Sequence, residues 1–274
     1  MAKAAKFVSE EEFFSQMGRW LAGLKRPAWE PVVEDGEDGL IDSKFCGTPW
    51  LTADESWPVC GNCDNPMHLL LQLNLAELPE ELGDRHGKGL FQFFCCTQED
   101  CVINAYGDPF SSSYLPRVVQ PDGNEESPEI PEFNESYPDP FPAMKITDWN
   151  PIDDFPSITE FASLGIAHEP FQRDKQTWLR VEHAPLGIRS EMPYDEFKKL
   201  DRCAPGDKLA GWPDWANINV EYPNCPDCGK PMQTILFTLE SGVNIPFEFG
   251  DGGRGHIAQC STHKHRFGFA WQSG

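Results

Sequence analysis

Apolar side chains along this chain follow two rhythms. Over "SEEEFFSQMGRWLAGL", Phe13, Met17, Trp20 and Leu24 fall on one helical stripe, so the spacing predicts an amphipathic helix with that stripe facing a core. Ser9, with Glu12 three positions on, has the form of a capping box, and Gly23 and Pro27 mark the end. Beyond Gly39 the rhythm shortens. "HLLLQLNL" (68–75), "GLFQFFCC" (89–96), "QTILFTLE" (233–240), "GHIAQC" (255–260) and "RFGFAWQ" (266–272) are short apolar runs bounded by Gly, Pro and Asp, and they read as strands. "SITEFASLG" and "PYDEFKKLD" are short helix candidates. The expected fold is α+β and β-dominated, with mostly antiparallel sheets.

One pattern is written twice. "PVCGNCDNPM" (58–67) and "PNCPDCGKPM" (223–232) share Pro-x-Cys-x-x-Cys-x-x-Pro-Met. Each is preceded by a Lys-containing segment with Gly, Pro and Trp, and followed by an apolar strand, a Gly/Asp-rich turn and a second strand ending in Cys. Cys63 to Cys96 spans 33 positions and Cys228 to Cys260 spans 32. This regularity predicts two similar halves from an internal duplication. The expected layout is a helix and lead-in over 1–40, a first half over 41–120, an acidic Pro-rich crossing over 121–145 and a second half over 146–274, in one compact body.

Paired cysteines between prolines, with no helix following, argue against a thioredoxin-like redox motif and for metal. A metal needs two further soft ligands per site. "FFCCTQEDC" supplies Cys96 and Cys101, with Cys95 as the alternate; "QCSTHKH" supplies Cys260 and His263, with His265 as the alternate. Two zinc-ribbon-like structural clips follow: Cys60, Cys63, Cys96 and Cys101, then Cys225, Cys228, Cys260 and His263. Such ligands favour Zn²⁺ over Mg²⁺ or Ca²⁺, with Fe²⁺ open in the all-cysteine site. Cys46 and Cys203 read as small buried hydrophobes or bystanders. His68, His86, His168, His183 and His256 lack ligand spacing.

Charge narrows the choice of partners. Against 44 Asp and Glu stand 22 Lys and Arg, a net charge of −22. Such a field repels nucleic acid and anionic membranes and attracts basic proteins. With no apolar h-region in "MAKAAKFVSEEEFF" and no apolar run of membrane-spanning length, the reading is cytoplasmic. No catalytic constellation is visible. "FEFGDGGRGH" (247–256) lacks the Gly-Lys-Ser/Thr of a phosphate loop and reads as a tight turn with positive-φ glycines.

The run "SKFCGTPWL…PVCGNCDNPMHLLLQLNL…GLFQFFCCTQEDC" resembles programmed cell death protein 2 and its relatives, the TYPP-type domains. "GDKLAGWPDW…PNCPDCGKPM…FGDGGRGHIAQCSTHKHRFGFAWQ" is similar to the YwqG-like family, a group of bacterial domains of unknown function. The second resemblance implies two similar α+β halves and points to His263 over His265; the first implies a chaperone-like holder of a basic protein. The combined expectation is a zinc-stabilised, non-enzymatic protein-binding module. The alternatives are an immunity or antitoxin-type protein, or an enzyme with an unrecognised cleft site.

Overall fold

The computed structural model describes residues 5–36, 39–123, 127–133, 139–217, 220 and 222–274. Two compact units emerge: Met1–Ala28 with Ile152–Pro205 and Gly211–Val220, and Trp29–Pro151 with Gly206–Ala210 and Glu221–Gly274. In the first of these, residues 152–205 share one four-stranded sheet and one core with the N-terminal stretch.

The smaller unit carries the expected helix, α1 (Glu10–Ala22). Ser9 Oγ accepts the Glu12 N–H at 3.2 Å, satisfying one amide of the open first turn. Phe13, Met17 and Leu21 are buried along one face; Leu21 completes a stripe that the sequence pattern drew through Trp20 and Leu24, both only half-buried. These side chains share a core with a four-stranded sheet ordered β1-β10-β9-β8. Its strands are β1 (Lys6–Phe7), β8 (Ile166–Arg173), β9 (Gln176–His183) and β10 (Ile188–Pro193). Leu179, Val181 and His183 of β9 are buried while Arg180 and Glu182 are exposed, the period-two alternation of a sheet covered on one face. The two helix candidates appear as a 3₁₀ turn (Ile158–Ala162) and α3 (Tyr194–Lys198). Asp154 is a buried organiser here: its carboxylate accepts the N–H groups of Phe155, Ala204 and Trp212 at 2.9, 2.8 and 2.7 Å.

The second sheet has ten strands in the order β14-β13-β12-β11-β2-β7-β3-β4-β5-β6. They are β2 (Arg26–Asp35), β3 (Lys44–Phe45), β4 (His68–Asn74), β5 (Leu90–Cys95), β6 (Tyr114–Val119), β7 (Met144–Asp154), β11 (Lys208–Ala210), β12 (Thr234–Glu240), β13 (Arg254–Gln259) and β14 (Phe267–Gln272). Neighbours within β3–β6 and within β11–β14 pair antiparallel. The edge strands meet, so the sheet is a nearly closed barrel: Trp271 Nε1 donates to Tyr114 Oη at 2.9 Å, and Phe93 packs on Phe269 with centroids 4.5 Å apart. Phe45, Leu71, Phe91, Phe93, Phe237, Ile257 and Phe269 belong to the core of this sheet. β4 and β5 are buried almost continuously because a second apolar cluster, with Leu51, Trp57 and Met67, covers Leu69 and Phe94.

The strand order reads alike from either edge, and local details repeat. Cys46 and Gly47 sit at φ 56° and 75°, Ala210 and Gly211 at 61° and 76°. A bulge falls between Leu69 and Leu71, and another between Ile235 and Phe237. Ser43 Oγ accepts the Asn74 N–H at 2.9 Å, and Asp207 Oδ1 accepts the Glu240 N–H at 2.8 Å. In the acidic crossing, residues 124–126 and 134–138 lie outside the described residues; Phe133 and Phe141 of the remainder pack on His68, 4.1 and 4.3 Å between centroids. No helix among the described residues is long and apolar enough to cross a membrane.

Candidate metal centres

The two Cys-x-x-Cys segments fold into the same loop. In the first, Cys60 N–H donates to Asn65 O at 2.8 Å, Asp64 N–H to Cys60 O at 2.8 Å and Met67 N–H to Pro58 O at 2.9 Å. The second repeats the set: Cys225 to Lys230 O, Gly229 to Cys225 O and Met232 to Pro223 O, at 2.9, 2.7 and 2.8 Å. Each loop needs one left-handed residue, supplied by Asp64 at φ 59° and Gly229 at φ 68°, residue types that tolerate that region.

The closing ligands come from the far end of the second strand. Cys96 follows β5, and Cys101 lies on a short helix, α2 (Glu99–Asn104). Cys260 follows β13, with His263 three residues on. The result is two groups, Cys60–Cys63–Cys96–Cys101 and Cys225–Cys228–Cys260–His263, each with its ligand atoms within 4.8 Å of one another. Cys63 and Cys96 sulfurs are 3.7 Å apart, and Cys228 and Cys260 sulfurs 3.8 Å. His263 Nδ1 is 3.7 Å from Cys225 Sγ and 3.8 Å from Cys260 Sγ. A tetrahedral ion with metal–sulfur bonds of about 2.3 Å has sulfur–sulfur edges of about 3.8 Å. A disulfide would hold the sulfurs about 2.0 Å apart, and every cysteine is free. The donor sets therefore fit a metal ion.

Cys95 is not in the first group. Its thiol points into the barrel core, where burial pushes its pKa far up; adjacent strand residues face opposite ways, and only Cys96 faces the loop. His265 is exposed, its Nε2 3.4 Å from Asp227. Cys46 is buried in the core of the barrel sheet; Cys203 is half-buried.

Electrostatics within each group are frustrated without a cation. Burial pushes Cys63 up, but the side-chain and backbone amides of Asn65 and the thiols of Cys101 and Cys60 outweigh it and bring it to about 7. Burial likewise opposes Cys260, which the backbone amides of His263 and Thr262 pull down to about 6. Burial and the neighbouring Cys63 and Cys60 hold Cys101 up at about 11. Thiolates at such range repel one another, and a divalent ion removes the conflict.

Some contributors carry no sequence signal. Asn65 Nδ2 donates to Cys63 Sγ at 3.3 Å, and Asn62 N–H to Cys60 Sγ at 3.4 Å. Asn62 is itself latched by the serine run: its Nδ2 donates to Ser113 Oγ and its Oδ1 accepts from Ser112 Oγ, both at 2.8 Å. The leftover histidines do other work. His68 Nδ1 is bonded to Thr97 Oγ1 at 3.0 Å and Nε2 to Asp139 O at 3.1 Å. His86 Nδ1 is bonded to Gln259 Oε1 at 2.8 Å. Burial lowers both imidazoles to about 4. In "FEFGDGGRGH", Gly250 and Gly252 take φ 67° and 61°, within the connection between β12 and β13.

A family model described as a domain of unknown function, DUF1963, matches residues 43–267. No curated protein matches the chain.

Proposed function

We propose that this chain, which belongs to the DUF1963 family, is a zinc-clamped β-barrel protein that holds a basic protein partner and performs no chemistry at its metal sites. Cys60, Cys63, Cys96 and Cys101 would hold one Zn²⁺, and Cys225, Cys228, Cys260 and His263 the other. Each set supplies four protein ligands, which leaves no position for a substrate or water and is the mark of a structural site. The two halves of the barrel, on this reading, descend from one duplicated unit. The matched loops, the paired bulges and the symmetric strand order support it, as does the resemblance to YwqG-like and TYPP-type domains.

The partner reading rests on where the charge lies. The larger unit holds thirty Asp and Glu against ten Lys and Arg, whereas the smaller holds fourteen against twelve. A field concentrated on one unit steers a cationic partner and rejects anionic ones. Free thiols and zinc clips suit a reducing compartment, which supports the cytoplasmic reading. The test pairs elemental analysis with affinity capture from native lysate at low and high salt. The expected result is two zinc ions per chain and retention of a basic protein that fades as salt rises past the screening range. Metal-free protein would overturn the zinc reading; salt-insensitive capture, or capture of acidic proteins, would overturn the partner reading.

A further inference from the structure

Three exposed large apolar side chains lie within one short stretch after the first metal group: Ile103, Tyr106 and Phe110, at 58, 51 and 44% exposure. Two concavities open beside them. One, of about 430 Å³, is walled by Val102, Ile103, Phe247 and Trp271; the other, of about 210 Å³, by Tyr106, Pro109, Pro223, Phe269 and Trp271. Trp271 is common to both. Its only polar atom is spent on Tyr114 Oη, so it offers the concavities an apolar ring, with the Tyr106 ring packed edge-on at 4.9 Å. Gly268 helps shape the face: a Cβ there would come within 3.0 Å of Pro223 and 3.3 Å of Phe110.

The rim is acidic. Glu99 and Glu248 line the larger concavity and Asp108 the smaller, and among the described residues no Lys or Arg lines either. Clustered exposed apolar surface of this kind, rimmed by polar groups, marks an interaction site. We infer that the face formed by α2, Phe110 and the barrel seam docks a cationic amphipathic segment of another protein. The segment's apolar side chains enter the two concavities, and its Lys and Arg lie against Glu99, Asp108 and Glu248. A second copy of this chain is disfavoured as occupant, because it would bring acidic rims together on molecules that each carry −22. The inference rests on the basic-partner reading above and gives it a place on the molecule.

The test is fluorescence anisotropy with three short labelled peptides on the zinc-loaded protein: an amphipathic leucine–lysine helix, its serine-for-leucine version and its glutamate-for-lysine version. Binding of the leucine–lysine peptide should weaken at least about tenfold in Ile103→Lys and in Tyr106→Ser, the loss expected of a hot-spot anchor. Both variants should retain the zinc content and melting temperature of the parent; if one does not fold, the other and Phe110→Ser carry the test. The serine–lysine peptide should bind weakly and the leucine–glutamate peptide not at all. Equal binding of the leucine–lysine peptide to parent and variants would overturn the groove and leave the basic-partner reading standing, as would equal binding of the serine–lysine peptide. Binding of the glutamate peptide, or of none of the three, would overturn both. A concentration-dependent dimer in sedimentation, abolished by Ile103→Lys, would overturn the inference in favour of self-association.

Discussion

Cys95 and Cys96 are neighbours of the same chemical type, and the structure gives them opposite fates, so truncating each in turn is a controlled test of the metal clip. Cys95→Ala removes one buried sulfur from the barrel core. An atom of that size is worth about one methylene, about 1 kcal/mol with the small void included. Cys96→Ala removes a similar volume and also one of the four sulfurs of a set whose sulfur–sulfur edge, 3.7 Å between Cys63 and Cys96, fits a bound ion. Structural zinc contributes about 10–16 kcal/mol of apparent binding free energy to folding in small zinc domains. Losing a quarter of the ligands, and leaving three mutually repelling thiols, should cost about 3 kcal/mol or more, a large part of the ~5–15 kcal/mol that a domain commands. Urea unfolding of both variants, with zinc counted by chelator titration, provides the comparison. The expected outcome is two zinc ions and a small shift for Cys95→Ala, against one zinc ion and a large shift for Cys96→Ala. Equal shifts with zinc content unchanged in both would show that the assignment of faces, or the metal itself, is wrong.

The second group separates in the same way: His263→Ala should release one zinc ion, whereas His265→Ala, whose exposed ring pairs with Asp227, should retain both; the reverse pattern would reassign the ligand. His86, lowered by burial to about 4, takes its proton first in the unfolded chain, so its contribution is present above about pH 6.5 and is lost as pH falls towards 4. His86→Gln should therefore flatten the acid limb of a stability–pH curve by about 2 kcal/mol between pH 8 and 5; parallel curves would show that the imidazole is not buried as described. In the smaller unit, Asp154→Ala strands three backbone N–H groups and should cost about 3 kcal/mol or more in thermal unfolding with both zinc ions kept, and a loss under about 1 kcal/mol would mean that water replaces the carboxylate.

What could be read from the sequence was what carries a local signal. The capping serine, the five apolar runs and the twin loops all announce themselves within about ten residues. The strands that went unread break the usual rules. β2 contains Pro27 and Pro31, β7 contains Pro151 and β8 contains Pro170, and proline within a run argues against a strand unless tertiary pairing overrides it. β9 buries only alternate positions beneath α1, so it never forms an apolar run. Leu21 was missed because the helical stripe can be drawn through two sets of positions, and only the core chooses between them. The members of the two Cys/His groups were legible, but the choice of Cys96 over Cys95 depends on which face of a strand end turns towards the loop, a property of the register.

The barrel seam joins strands made at very different times. Synthesis delivers β6 well before β14, so the growing polypeptide carries an unpaired outer edge while more than a hundred further residues emerge, and an open edge is a template for mispairing with other chains. The first thiol quartet is complete at Cys101, ahead of β6 itself. An ion captured there would fasten the β4–β5 hairpin before the hazardous edge exists, and metal supply during translation would then govern how much of this protein reaches its native form rather than an aggregate.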